Sequence, residues 1–343
     1  MIFSSDKQVL ESLKNKIYSP VYFFYGEEPY YIDELNAFLE QNMLDEADRD
    51  FNQSVVYGRD VTPRNIIDLA RRFPMMSSYL LVIVKEAQDI GNIELLEPYF
   101  QNPSASTILV INYKYKKLDK RKSIYKLLSK SKDAVLFESA KLYDNQIPDW
   151  ISNKVKEMGF FINPGSALLL SEYLGNDLSR ISNELKKLII NLKSGDKITS
   201  DHIEQNIGIS KEFNIFELTK AFSTRDTFKA YRIVQYFEAN PKQNSLFLVI
   251  PMLHSFFMKV FLFHQVSKES KNIVASKLGI SPFFYDEYKA AAKNFPPEKI
   301  KKIITQLHDL DLKSKGVGLR DSTSYGPLKD FTLQILSENT ELK

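Results

Sequence analysis

Cysteine is missing from the 343 residues of this chain. Its absence excludes disulfides, zinc–thiolate sites, iron–sulfur clusters and thiol nucleophiles. Histidine is scarce: His202, His254, His264 and His308 stand apart, with no HxxxH or HExxH spacing, and no metal site is expected. Glycine numbers only 12, so few phosphate loops or glycine-dependent turns are possible and helix should dominate. Charge of one sign is also lacking, since the net charge of +3 is too small to indicate nucleic acid by itself. Met1-Ile2-Phe3-Ser4-Ser5-Asp6-Lys7 has no basic region leading into an apolar run, which argues against a signal peptide. The stretch from Leu246 to Phe263 is interrupted by Pro251, His254 and Lys259. Its apolar residues recur at helical spacing, which speaks against a membrane span. A cytoplasmic protein without membrane attachment is expected.

What is present is an ordinary folded composition, with 43% hydrophobic and 26% charged residues, in a chain long enough for two or three domains. The first part alternates strands and helices. Val21–Tyr25, Phe51–Tyr57, Leu80–Val84, Thr107–Ile111 and Ala134–Phe137 read as five strands, several of them continuous apolar runs of the kind buried on both faces. Helices are predicted over Tyr31–Asn42 and, opened by Thr62-Pro63, over Arg64–Phe73. This pattern predicts a parallel α/β sheet. Beyond about residue 145 the strands disappear. Helices opening at Asn163-Pro164, Asn176-Asp177 and Thr199-Ser200-Asp201 suggest a three-helix block over 143–211. After the Lys211-Glu212 link, helices run to Leu342, broken at Pro241, Pro251, Pro282 and Pro296-Pro297. The expected domains are therefore 1–142, 143–211 and 212–343.

The first strand leads into Gly26-Glu27-Glu28-Pro29-Tyr30-Tyr31-Ile32-Asp33. A strand, a glycine turn and a helix start form the setting of a P-loop. If Gly26 opened GxxxxGK[ST], Gly, Lys and Ser or Thr should stand at positions 31, 32 and 33. Tyr31, Ile32 and Asp33 stand there instead. Glu27, Glu28 and Asp33 would also repel a phosphate that a nest of N–H groups should attract. No cofactor and no catalytic residue are expected. Glu27, Glu28 and Glu86 lie on separate segments without a hydrolase or metal-ligand pattern.

Five segments in order carry a resemblance. They are Val21–Glu34, with its G-[ED]-[ED]-P turn; Tyr57–Phe73 followed by Pro74-Met75-Met76-Ser77-Ser78; and Lys116-Lys117-Leu118-Asp119-Lys120-Arg121-Lys122. The others are Gly175–Leu188, the most specific, and Asp311–Gly316. Together they resemble the delta subunit of the bacterial DNA polymerase III clamp loader across nearly the full chain. The resemblance implies an AAA+-like α/β domain with a parallel sheet, a three-helix lid and an all-α collar domain for oligomerisation. It implies a subunit that binds and helps open the sliding clamp (the beta subunit) for loading onto primed DNA. Partners would be gamma/tau, delta-prime and primer–template DNA. No ATPase activity of its own is implied, any DNA polymerase activity belonging to the holoenzyme. An active AAA+ ATPase would need a tandem acid pair after Leu80–Val84, where Lys85-Glu86-Ala87-Gln88 stands. The paralogous delta-prime subunit usually bears zinc-binding cysteines, which this chain lacks.

Candidate sites divide into two groups. Pro74 ends the preceding helix and sets Met75 and Met76 on a turn. From the residues alone both methionines fill the core beneath it; the resemblance places Pro74, Met75 and Met76 at the clamp-binding wedge, a role suited to flexible, polarisable side chains. Phe73 is expected to pack inward, sharing a helix face with Ile66 and Leu69/Ala70. The second group is basic: Lys116, Lys117, Lys120, Arg121 and Lys122, within a run from Lys114 to Lys132 interleaved with Tyr113, Tyr115 and Tyr125. It reads either as a solvated face or as a contact to DNA phosphates or another subunit, with no base-reading motif. Trp150 is read as a domain-junction anchor, and Arg180 as structural. Phe256, Phe257, Phe261 and Phe263 are too many aromatics for one face of one helix: either some meet a neighbouring subunit or the domain buries them all itself.

Overall fold

The computed structural model describes residues 2–208, 210, 212–317 and 325–337. Lys211 and the expected helical end at Leu342 lie outside them. The chain divides into two compact units, Met1–Leu142 and Tyr143–Lys343.

The first unit holds β1 (Ile2–Phe3), α1 (Asp6–Lys14), β2 (Val21–Gly26), α2 (Pro29–Asn42), α3 (Glu46–Asn52) and β3 (Gln53–Tyr57). It continues with α4 (Pro63–Ala70), β4 (Leu80–Lys85), α5 (Glu97–Gln101), β5 (Thr107–Lys114), α6 (Ser123–Lys130) and β6 (Ala134–Glu138). Among the described residues these strands form one sheet in the order β1-β6-β2-β5-β4-β3, with parallel pairing throughout. The five expected strands are present, the second starting only at Gln53 because Phe51 and Asn52 end α3, and β1 is added at one edge. Strand β1 is too short for hydrophobic periodicity to reveal.

Alternation along each strand builds two apolar layers, because successive side chains of a strand point to opposite faces. Tyr22, Phe24, Leu81, Ile83, Ile108 and Val110 meet Val9 and Leu13 of α1 and Ile32, Leu35 and Leu39 of α2. Phe23, Tyr25, Val82, Val84, Leu109 and Ile111 meet Ile66 and Ala70 of α4, Tyr99 and Phe100 of α5, and Ile124 and Leu128 of α6. Both faces are covered, which explains the continuous apolar runs.

The second unit begins with α7 (Ile147–Glu157), β7 (Phe161–Ile162), α8 (Pro164–Leu174), α9 (Leu178–Ile189), β8 (Lys197–Ile198) and α10 (Ser200–Ile207). The expected three-helix block and loss of strands need correction. Among the described residues four helices are present, and β7 pairs with β8 in a short parallel ladder. The three expected helix starts are capped by side chains: Asn163 accepts from the Ser166 N–H, Asp177 from Arg180 and Thr199 from His202. Each cap satisfies an N–H that helical bonding leaves open.

Among the described residues the remaining elements are helical: α11 (Ile215–Thr224), α12 (Thr227–Ala239), α13 (Leu246–Val266), α14 (Lys271–Leu278), α15 (Tyr285–Asn294), α16 (Pro297–Ser314) and α17 (Gly326–Ser337). Helix α13 is long and apolar enough to cross a membrane by length and composition. Its Leu253, Phe256, Phe257, Val260 and Phe263 nevertheless lie in the unit's core beside Phe222, Phe237 and Phe295. Phe261 packs partly buried against the same cluster. These aromatics serve their own domain.

Candidate functional site

At the C-terminal end of β2, where a phosphate loop would sit, the chain closes on itself. Gly26 adopts φ +145, and a Cβ there would lie 2.0 Å from the Ser139 carbonyl oxygen. Only glycine admits that approach. The Ser139 N–H donates to the Tyr25 carbonyl at 2.7 Å, and the Glu28 N–H to the Ser139 carbonyl at 3.2 Å. The Ser139 hydroxyl donates to the Glu28 carbonyl at 2.6 Å. The buried Glu28 side chain accepts from the Tyr30 N–H at 3.0 Å, so a carboxylate of the chain itself caps α2. That is the helix end at which a bound phosphate would be favoured.

Positions 32 and 33 are equally committed. Ile32 is fully buried among the side chains of α1 and α2. Asp33 pairs with Lys114 Nζ at 2.6 Å, and the same ammonium reaches Glu86 Oε1 at 3.0 Å. Burial opposes both charges, but the pairing outweighs it. The Lys114 pKa is raised by its bonds to Asp33 and Glu86. The Glu86 pKa is lowered by its bonds from Gln88 and Lys114. Only strand period marks Lys114 as leaving the basic run to serve this cluster. Lys114 is in register with Gly26 on β5, two and four residues from Asn112 and Val110, on the face that α2 covers.

The turn between α4 and β4 is built differently. Helix α4 ends at Ala70, whose carbonyl accepts from the Tyr99 hydroxyl at 3.3 Å. The expected helix to Phe73 is therefore too long, and the inward packing of Phe73 is corrected: it is 87% exposed. Pro74 drives the preceding residue out of helical conformation, so the phase that aligned Phe73 with Ile66 is lost. Met75 is 61% and Met76 103% exposed, which removes the core-filling alternative. Pro74 is partly buried. Met76 has φ 55, a left-handed conformation that few non-glycine residues adopt. The Met75 backbone is held at both of its polar atoms by the side chain of Asn52.

The basic segment follows β5. Leu118 is buried and pins it to the core beside α6. Lys116 is exposed, and its backbone bridges Gly26. Lys117 pairs with Glu27 at 2.9 Å, Lys120 with Glu138 at 3.1 Å, Arg121 with Asp119 at 2.8 Å and Lys122 with Glu94 at 2.5 Å. The bonds from Arg121 hold the Asp119 carboxyl down to about 2. The expected cations thus share one surface, but much of their charge is matched by carboxylates. Trp150 lies partly buried on α7, and Arg180 is exposed on α9.

The first unit is thus a parallel α/β sheet with helices on both faces, and at the C-terminal end of β2 the chain's own polar groups pair with one another. Residues 22–140 match the family "DNA polymerase III, delta subunit", and residues 212–324 match "DNA polymerase III delta subunit, C-terminal domain". The DNA polymerase III subunit delta of Bacillus subtilis (strain 168) is 31% identical over 345 residues, covering 96% of this chain and 97% of its own length. Among solved structures, the Bacillus subtilis DNA clamp loader delta protein YqeN matches with a TM-score of 0.55 and 27% identity. That match covers 97% of this chain and 100% of the other. This chain belongs to the DNA polymerase III delta subunit family.

Proposed function

We propose that this chain is a non-hydrolysing, clamp-binding subunit of a bacterial replicative clamp loader, working in the cytoplasm with gamma/tau and delta-prime. It binds the ring-shaped sliding clamp and helps to open it for loading onto primed DNA. The observation that carries this reading is the turn before β4. Phe73, Met75 and Met76 leave large apolar surface in water, at the position where the family resemblance implies the wedge. Clustered apolar exposure on one turn is better explained by a partner than by the fold. Pro74, Met75 and Met76 enter an apolar pocket of the clamp, and Phe73 flanks them.

The second unit supplies a lid over 143–211 and a collar over 212–343 that joins the other subunits. Exposed Phe228, Phe247 and Phe283 support that assignment better than the buried aromatics of α13 do. Lys116, Lys117, Lys120, Arg121 and Lys122 make a minor, salt-sensitive contact to DNA phosphates or a neighbouring subunit. The carboxylate partners of Lys117, Lys120, Arg121 and Lys122 must be exchanged for it, and so its contribution is small.

The reading is tested by titrating the full chain with the sliding clamp of the same bacterium, with and without ATP and magnesium. A saturable complex whose affinity ignores nucleotide is expected. Failure to form a complex, or tight ATP binding by this chain alone, contradicts it.

A further inference from the structure

Met75 and Met76 stand on a turn with their side chains exposed, yet the Met75 backbone is held by hydrogen bonds. Asn52, the last residue of α3, is 1% exposed. Its Oδ1 accepts from the Met75 N–H at 2.6 Å and its Nδ2 donates to the Met75 carbonyl at 2.9 Å. Nδ2 also donates to the Asp48 carbonyl at 3.2 Å, which ties the amide back to its own helix. One side chain thereby pairs with Met75 as a neighbouring strand would, across 23 residues of sequence. The next residue, Met76, takes the left-handed conformation that a non-glycine residue keeps only when its surroundings enforce it.

We propose that Asn52 is a positioning residue for clamp binding: it holds the Met75–Met76 turn in its binding conformation before the clamp arrives. This rests on the reading of that turn as the clamp contact. The physical basis is preorganisation. Ordering one residue's backbone on binding costs roughly a factor of ten in affinity, and a turn already ordered avoids that loss. Asn suits the task because its amide offers one donor and one acceptor side by side, matching the peptide group it faces. Ala offers neither. Asp offers the acceptor alone and sets a second oxygen against the Met75 carbonyl.

The test combines amide hydrogen exchange with clamp titration on the full chain, its Asn52→Ala and Asn52→Asp variants, and the Met75→Ala/Met76→Ala double variant. In the unmodified chain the Met75 amide should exchange slowly without clamp, despite its exposed surroundings. Asn52→Ala should lose that protection while the amides of β4 keep theirs, and clamp affinity should fall by about tenfold. Asn52→Asp should fall between. A Met75 amide that is protected only when clamp is bound overturns the proposal, and that measurement needs no variant. So does an Asn52→Ala chain with a loosened turn and undiminished affinity. Should the double variant bind like the unmodified chain, the clamp contact lies elsewhere. If the double variant fails to bind but Asn52→Ala binds normally, the contact stands and Asn52 is only structural.

Discussion

At the C-terminal end of β2 the chain meets its own polar groups, whereas the turn before the N-terminal end of β4 leaves three apolar side chains in water. Because the sheet is parallel, these regions lie at opposite ends of its strands. In the first, Ser139, Glu28 and Lys114 pair with other groups of the chain. In the second, Asn52 and Tyr99 bond the backbone of Met75 and Ala70, while the side chains of Phe73, Met75 and Met76 stay exposed. A region whose bonds are complete gains little from a ligand; an ordered apolar projection gains by being covered. On the proposed reading, the turn carries the partner contact and the strand end, whose polar groups already pair with one another, does not.

The largest expected effect comes from Gly26→Ala, which tests the closed end. A Cβ 2.0 Å from a backbone oxygen, on a positive φ, leaves no relaxed solution. The first unit should lose about 3–5 kcal/mol, read as a large drop in the denaturation midpoint. A nearly unchanged midpoint would show that Ser139 does not seal the glycine turn.

Lys114→Met should cost less, about 2 kcal/mol, because Asp33 remains half in solvent while Glu86 loses its cation. The pH dependence follows from the signs. The Glu86 pKa is lowered in the folded chain, so its contribution is present above its unfolded pKa and is lost as pH falls through the folded value. The Lys114 pKa is raised, so its contribution is present below the ordinary lysine value and is lost as pH rises through the folded value. Stability from this cluster should be flat from about pH 6 to 9 and decline in acid below the ordinary glutamate value. Thermal melts from about pH 9 down to below the ordinary glutamate value should show a weaker acid decline in Lys114→Met. An equal decline in both chains would remove Glu86 from the account.

On stability, Phe73→Ala should have the smallest effect, within about 0.5 kcal/mol, since the ring is in water. Clamp affinity should still fall by about tenfold as its apolar area is withdrawn from the contact. A lowered melting temperature with unchanged affinity would return Phe73 to the core and break the contrast between the two regions.

The sheet was legible because strands buried on both faces carry continuous apolar runs, as Leu80–Lys85 and Thr107–Lys114 do. Asn163, Asp177 and Thr199 announced their helices because capping is local chemistry. The errors came where local signals competed. The period linking Ile66 to Phe73 suggested one helix face, but Pro74 decided the matter. Strands of two residues, Ile2–Phe3 and Phe161–Ile162, are too short for any period. Lys114 was hidden within a run of lysines, although its strand register set it apart. Asn52 was invisible, because its role depends on a contact between segments far apart in sequence.

The central claim, that the exposed turn and not the strand end carries the partner contact, is tested by the Met75→Ala/Met76→Ala chain. Clamp binding and thermal melting should be measured on one sample. Burying two methionines in an apolar pocket contributes on the order of 1.5–3 kcal/mol each, so affinity should fall by roughly two to four decades while the melt stays unchanged. Clamp affinity equal to that of the unmodified chain, or a melt lowered as a core deletion of about 2–5 kcal/mol per site would lower it, would contradict the account.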